Sequence, residues 1–318
     1  MITLTSGEVL VEVLRSDVVE SLHRGHLLVT APGGTALVSI GDVTAPIFPR
    51  SSLKPLQAVG MLRAGLSLVD DDLALAAASH DGESFHIAGV RAILADGGLD
   101  ETDLACPPDL PLAEAARRTV LIGGGMPARI LMNCSGKHAA MLRTCVVNDW
   151  PLSGYLSPEH PLQRQLRTTV EELCSEPIAA VGVDGCGAPL FAVSLTGLAR
   201  AFARLGTATA GPEHAVADAM RRFPAMVGGT HQSGSRLMAG IPGAIVKAGA
   251  EGVYAVALAD GGALAVKIDD GAPRAADRVA VAALRRLGAT GAILDELAEQ
   301  PVLGGGEPVG AVRMHAAL

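Results

Sequence analysis

Val253-Tyr254-Ala255-Val256-Ala257-Leu258, then Asp260-Gly261-Gly262, then Ala263-Leu264-Ala265-Val266-Lys267-Ile268: this is the stretch from which the fold is read. Two apolar runs flank a turn in which glycine supplies the backbone angles a tight reversal needs, and that predicts a β-hairpin. A second set of strands lies near the start of the chain. Val9–Val13 and Leu27–Thr30 are β-branched and apolar, and Pro32-Gly33-Gly34 makes a turn before Thr35–Ile40. Between these regions the pattern is helical. Apolar residues recur at helical spacing over Leu53–Leu66, with Pro55 near the start where proline is tolerated. Helices are also expected at Leu73–Ala78, Phe85–Leu94, Lys137–Val147, Glu159–Leu173, 195–205 and 212–222, with a short strand at 179–183 and closing helices at about 274–287 and 291–299. Strands at both ends with helices between predict one α+β domain over the whole chain. Its antiparallel sheet is drawn from about 8–40 and 244–270, and its mainly helical region from about 53–225.

The 318 residues are enough for a large core, and no uninterrupted apolar run is long enough to span a bilayer. The opening Met1-Ile2-Thr3-Leu4-Thr5 lacks the basic-then-apolar pattern of a secretory leader, so a cytoplasmic location is expected. Net charge is −8 with few aromatics and no basic run, which disfavours a nucleic-acid partner. Five cysteines, an odd number, point to reduced thiols rather than a disulfide framework. Of the 25 basic residues only Lys54, Lys137, Lys247 and Lys267 are lysines. Arginine holds its proton in proteins, whereas a desolvated lysine can lose it and act as a base or ligand. Each lysine is therefore a candidate for work that arginine cannot do, set against the plain reading of a solvated surface cation.

Four segments carry candidate chemistry. In Arg50-Ser51-Ser52-Leu53-Lys54-Pro55, Ser51 and Lys54 are three apart, which on a helix places them on one face. A neutral lysine can take the proton of a serine hydroxyl, and this S-x-x-K arrangement is the signature of serine β-lactamases and penicillin-binding proteins. The plain reading is an N-cap serine beside a solvated lysine. In Ser79-His80-Asp81-Gly82-Glu83-Ser84-Phe85-His86, the spacing H-x-x-E-x-x-H matches neither common zinc pattern, and Ser79 is the better candidate as a second site hydroxyl. Asn133-Cys134-Ser135-Gly136-Lys137-His138 and Asp184-Gly185-Cys186-Gly187 each set a cysteine in a glycine-containing loop. Two thiolates and a neutral lysine would bind Zn2+ without net charge and leave a position for water; the competing reading is ordinary core cysteines. Lys267 lies on the predicted hairpin, but the K-T-G sequence of β-lactamase-like strands does not follow it. Lys247, before Gly249-Ala250-Glu251-Gly252, is the competing second lysine.

Taken together and in order, these pieces resemble the asparaginase II family. Glu20-Ser21-Leu22-His23-Arg24-Gly25 and Lys267-Ile268-Asp269-Asp270-Gly271 extend the match, so that it runs from about residue 20 to 275. The resemblance implies a serine β-lactamase or transpeptidase type of fold in a homodimer. It implies hydrolysis of the side-chain amide of L-asparagine to L-aspartate and ammonia through a Ser-Lys activated nucleophile. Ser51 with Lys54, and Ser79 with a distant lysine placed at Lys267, would be the catalytic pairs. Arg50, His80 and Asp184 would contact substrate. Cys134, Lys137 and Cys186 would hold one zinc ion per chain, aiding substrate binding. Asp81 stands where a smaller or neutral residue is expected. The rival readings are a β-lactamase or peptidase acting on larger substrates, and a non-catalytic zinc-binding module on the same fold.

Overall fold

The computed structural model describes residues 5–315; Met1–Leu4, on which the leader reading partly rests, and 316–318 lie outside the described residues. The strands are β1 (Glu8–Arg15), β2 (Val18–Thr30), β3 (Ala36–Ile40), β4 (Pro46–Ile47), β5 (Ala180–Val183), β6 (Pro189–Ser194), β7 (Ile245–Gly249), β8 (Val253–Ala257), β9 (Ala263–Ile268), β10 (Gln300–Gly304) and β11 (Glu307–Met314). The helices are α1 (Lys54–Arg63), α2 (Asp70–Ala76), α3 (Ser84–Asp96), α4 (Glu114–Ile122), α5 (Ser135–Val147), α6 (Pro161–Cys174), α7 (Leu195–Thr207), α8 (Gly211–Arg222), α9 (Pro224–Val227), α10 (Ser233–Gly240), α11 (Pro273–Arg286) and α12 (Ala292–Ala298).

The expected hairpin is β8–β9, and it sits inside an antiparallel sheet ordered β10-β11-β1-β2-β9-β8-β7. β2 is the hinge between the two ends of the chain. Its Gly25–Thr30 segment pairs with β9 along one edge, while the opposite edge is shared between β1 and β3. Residues at consecutive positions of β8 are all buried, and helices α7 and α11 both pack on β8 and β9, so the central strands are covered on both faces. That explains why the hairpin reads as two continuous apolar runs. The α+β arrangement with a sheet of terminal strands is as the sequence predicts.

Two parts differ from the sequence reading. The chain does not close on helices: after α12 it returns as the β10–β11 hairpin, and β11 pairs with β1 at the sheet edge. Pro301, Pro308 and the Gly304-Gly305-Gly306 turn hide these strands from a propensity reading. Proline is tolerated here because β10 is an edge strand and a register shift interrupts the pairing at Val302/Leu303. The strand expected at 179–183 is β5, but it is joined by β4 and β6, which the reading did not foresee, in a three-stranded sheet ordered β4-β6-β5 that interrupts the helical region. β6 is buried at every residue, and a short apolar run of that kind has no periodicity to distinguish it from helix.

The two halves meet where a 3-10 turn, Arg50–Leu53, leads into α1 and packs on β7. Ser52 is fully buried there and donates from Oγ to the Lys247 carbonyl at 2.9 Å. Gly249 makes the contact possible, since a Cβ at that position would lie 2.3 Å from the Pro49 oxygen. We expect Gly249→Ala to force β7 away from the turn and to destabilise the protein by about 1–3 kcal/mol, the usual cost of overpacking. Thermal unfolding checks this; an unchanged Tm would show that the strand yields freely.

Candidate active site

The first residue of α1 is Lys54, and its placement at a helix start lets a long side chain run inward under the helix of residues 70–76. The side chain is buried, and its Nζ donates to the Ala78 carbonyl at 2.5 Å and to Ser79 Oγ at 2.8 Å. Ser79 lies just beyond the end of α2, with its N–H anchored on the Val227 carbonyl at 2.9 Å. From the opposite side β7 delivers Lys247, whose Nζ lies 3.0 Å from the same Ser79 Oγ and 3.1 Å from the Ala248 carbonyl. One hydroxyl is thus held between two buried lysines. Burial pushes the Lys247 amine well below its ordinary range, and the neighbouring Lys54 pushes it further the same way. A neutral Lys247 can donate one hydrogen to Ala248 O and accept the Ser79 proton.

The partner of Ser79 is therefore Lys247, and the pairing expected with Lys267 is not made. Lys267 Nζ is spent on the carbonyls of Glu251 and Ile268, at the far end of β9. Signal for Lys247 was present in the sequence. Lys247-Ala248-Gly249 keeps the lysine and glycine of a K-T-G frame with alanine in the middle, and the glycine is the residue that lets β7 approach the Ser51 turn. Lys267-Ile268-Asp269-Asp270 and the Glu20–Gly25 segment do structural work instead. Asp270 binds His23 at 2.6 Å, Asp269 N–H donates to Arg24 O, and Gly25 permits close approach of β2 to the Lys267 carbonyl.

Ser51 occupies the 3-10 turn three residues before Lys54, half-buried. No side-chain hydrogen bond joins it to Lys54 among the described residues, because the Lys54 ammonium is turned toward Ala78 and Ser79. Arg50, immediately before it, adopts a left-handed backbone with φ of 54°. Its Nε donates to Asp184 Oδ1 at 2.7 Å, so the two expected substrate contacts are paired with each other. His80 is enclosed rather than open to a substrate. Its ring is fully buried, stacks on His86 at 5.1 Å, and places Nε2 2.8 Å from Ser135 Oγ. Burial, with His86 and Lys54 adding to it, keeps this imidazole neutral. Asp81 accepts from Gln232 Nε2 at 2.6 Å, which fastens the 228–232 loop beside Ser79.

A second cluster forms where the start of α5 meets the loop after β5. Lys137 Nζ approaches Cys186 Sγ at 3.2 Å, and the Cys134 thiol donates to Asn133 Oδ1 at 2.9 Å. All three side chains are buried. The Cys134 thiol pulls the Cys186 thiol down despite burial, and Lys137 and His138 act in the same direction, so the site favours the thiolate form of Cys186. Burial works against the Lys137 charge, but the Cys186 and Cys134 sulfurs and Asp184 outweigh it and raise its pKa. The described residues contain no group of three or more His, Cys, Asp or Glu side chains arranged around a metal position. Two sulfurs and an amine converge here nonetheless, and His138 Nε2 is buried among the same groups without a hydrogen-bond partner.

A family model described as L-asparaginase II matches residues 11–314. The chain belongs to the L-asparaginase II family. No curated protein sequence matches it. Among solved structures it is similar to a β-lactamase from Mycobacterium bovis, at 17% identity and a TM-score of 0.49, over 83% of this chain and 94% of that one. That likeness is too slight to carry an argument. In this member of the asparaginase II family one pair of lysines surrounds the Ser79 hydroxyl and another lysine lies beside the Cys186 sulfur. Lys137→Met should lift the Cys186 thiol, since it removes the cation that stabilises the thiolate. Titration of thiolate absorbance in the metal-free protein, with Cys186→Ser as the blank, reads the shift; an unmoved titration would mean Lys137 does not hold the thiolate.

Proposed function

We propose that this protein hydrolyses the side-chain amide of L-asparagine to L-aspartate and ammonia by acyl transfer to a serine. Family membership supports an asparaginase-type amidohydrolase. The observation that carries the mechanism is the Ser79 hydroxyl, 2.8 Å from Lys54 and 3.0 Å from Lys247. A serine attacks only when a base takes its proton, and Ser79 is the serine with amines within reach. Neutral Lys247 accepts the Ser79 proton as Oγ bonds to the amide carbon. The tetrahedral intermediate collapses when a lysine ammonium returns a proton to the nitrogen, and ammonia leaves. Water then attacks the ester, giving its proton to the free amine, and aspartate departs as the serine is reprotonated.

A second route has its own observation. Ser51 lies three residues before Lys54, beside the left-handed Arg50, and its hydroxyl makes no side-chain hydrogen bond among the described residues. In that route Ser51 attacks, Lys54 takes its proton, and Ser79 passes a proton onward to the departing nitrogen. Mass analysis of a trapped acyl-enzyme separates the two. The variant that retains the adduct, Ser51→Ala or Ser79→Ala, has lost only the relay, whereas the variant that cannot form it has lost the nucleophile.

Both routes require a neutral amine at this centre. Lys54→Arg, Lys247→Arg and Ser79→Ala should each lower kcat/KM by about 10^2-fold or more, the usual loss of a general base. Lys267→Met should cost far less than Lys247→Met. Because a depressed lysine pKa leaves the amine neutral above that pKa, activity should fall as pH drops through it, and steady-state pH profiles read the limb. Substantial ammonia release by Lys54→Arg would show that Lys54 serves only as a fixed cation.

The donor set of Cys134, Lys137 and Cys186 suits one zinc ion per chain with water as a further ligand, with the metal displacing the proton that Lys137 otherwise holds beside Cys186. Bound there, zinc would supply a fixed positive charge and Lewis acidity for holding substrate. The serine is already the nucleophile, so chelation should raise KM and leave kcat largely in place. Metal analysis of Cys134→Ser and Cys186→Ser tests the site: wild-type zinc content in both would exclude these ligands. We also propose a homodimer in the cytoplasm. The five free cysteines fit a reducing compartment, and among the described residues no helix is long and apolar enough to cross a membrane.

A further inference from the structure

Ser79 and Asp81 lie in the irregular stretch between α2 and α3, so no helix or sheet ladder fixes their backbone. The segment that ends α9 and runs on to α10 holds them instead. Ser79 N–H donates to the Val227 carbonyl at 2.9 Å, and Asp81 N–H to the Gly228 carbonyl at 2.6 Å. Farther out, the Thr230 N–H and hydroxyl donate to Glu83 Oε2 at 3.0 and 3.1 Å. The Ser79 carbonyl remains to be satisfied. Among the described residues its one hydrogen-bond donor is Gln232 Nε2, at 3.4 Å.

The same nitrogen donates to Asp81 Oδ1 at 2.6 Å. A side-chain amide has two hydrogens, and here both point at acceptors, a carbonyl and a carboxyl oxygen, so the amide is oriented with its nitrogen toward Ser79. The short bond is the anchor and the long one is the reach. Asp81 can serve as an anchor because it is itself fixed. Its side chain is buried, its N–H is spent on Gly228, and its carbonyl accepts from the Ala113 N–H at 3.1 Å. Gly229 makes room for it, since a Cβ there would lie 2.2 Å from Asp81 Oδ2. The acid at position 81, where a smaller or neutral residue is expected, thus has both a partner and a space left for it.

We propose that Gln232 is a positioning residue for Ser79, oriented by Asp81: by holding the Ser79 carbonyl it keeps the hydroxyl between Lys54 and Lys247. The hydroxyl lies 2.8 Å from one amine and 3.0 Å from the other, distances that a small rotation of the Ser79 backbone would lengthen beyond proton-transfer reach. Gln232 acts through that backbone and takes no proton itself. Its role is the same whether Ser79 attacks the amide or relays a proton to the departing nitrogen. This inference rests on the amidase reading given above.

The test measures ammonia release from L-asparagine by the full chain, with Tm read on the same samples. Gln232→Met keeps the length of the side chain and removes both hydrogens. Its kcat should fall by about tenfold or more, toward the roughly hundredfold loss that a misplacement of about 1 Å costs, with KM nearly unchanged. The paired change Asp81→Asn with Gln232→Glu separates positioning from loop stability. The asparagine amide then donates to the glutamate and rebuilds the tie between the two segments, but no hydrogen is left for the Ser79 carbonyl. Tm should recover relative to Gln232→Met while kcat stays low. Wild-type kcat in Gln232→Met, or recovery of kcat in the paired variant, overturns the proposal, because Gln232 would then serve the loop alone. Should the paired variant not fold, Asp81→Asn by itself decides, since it keeps an acceptor for Gln232. A kcat near that of the wild type supports the proposal, and a fall as deep as that of Gln232→Met overturns it. A wild type that releases no ammonia sinks the amidase reading, and the decision passes to the rate at which phenylmethanesulfonyl fluoride labels Ser79, read by peptide mass. Slower labelling in Gln232→Met then supports the positioning role, and equal or absent labelling in both proteins overturns it.

Discussion

Two lysines are buried against a single serine hydroxyl, and much of the structure exists to make that possible. Two ammonium groups this close, away from water, repel each other and cannot both be solvated. The arrangement is tolerable only if one amine gives up its charge and each finds oxygen partners. The carbonyls of Ala78 and Ala248 and the Ser79 hydroxyl supply them. Three elements distant in sequence must converge to do so: the start of α1, the residue after α2 and the strand β7. The bond from the Ser52 hydroxyl to the Lys247 carbonyl and the close approach at Gly249 hold that junction together.

The neighbouring lysine shows how far environment decides what a residue does. Lys137 is as buried as Lys247, and burial alone would neutralise both. Lys247 faces another cation and is driven down; Lys137 faces a thiolate and is held up. One is pushed toward the neutral amine and the other is held as a cation beside a sulfur. The same contrast explains a chain that uses arginine almost everywhere else. Arginine can replace a surface cation, but it cannot be switched between these two states.

Most of the site chemistry was legible as residue types. Ser51, Lys54, Ser79, Cys134, Lys137 and Cys186 stand out because serine beside lysine, and cysteine in glycine loops, are short-range patterns within one segment. Lys247 and Lys267 could not be separated that way. Both are on strands, and the lysine-x-glycine frame at Lys247 is too short a hint to choose between them; the difference lies in which lysine the packed chain brings to Ser79. His80 illustrates the reverse error: a histidine next to Ser79 in sequence has its ring fully buried, stacked on His86 and held by Ser135 Oγ.

The sequence by itself determined the α+β class, the β8–β9 hairpin, the helical middle and the set of reactive residue types. Those follow from periodicity, turn residues and side-chain chemistry, which act over a few positions. Tertiary structure decided the rest. It chose Lys247 over Lys267, paired Arg50 with Asp184, set Lys137 against Cys186, and returned the proline-bearing tail to the sheet edge as β10–β11. Each of these depends on which surfaces meet across a hundred or more residues, and on burial, which no local pattern encodes. The acid–base character of a lysine is set by that burial and by the charge it meets there, so the function of the site belongs to the packed chain rather than to any one of its segments.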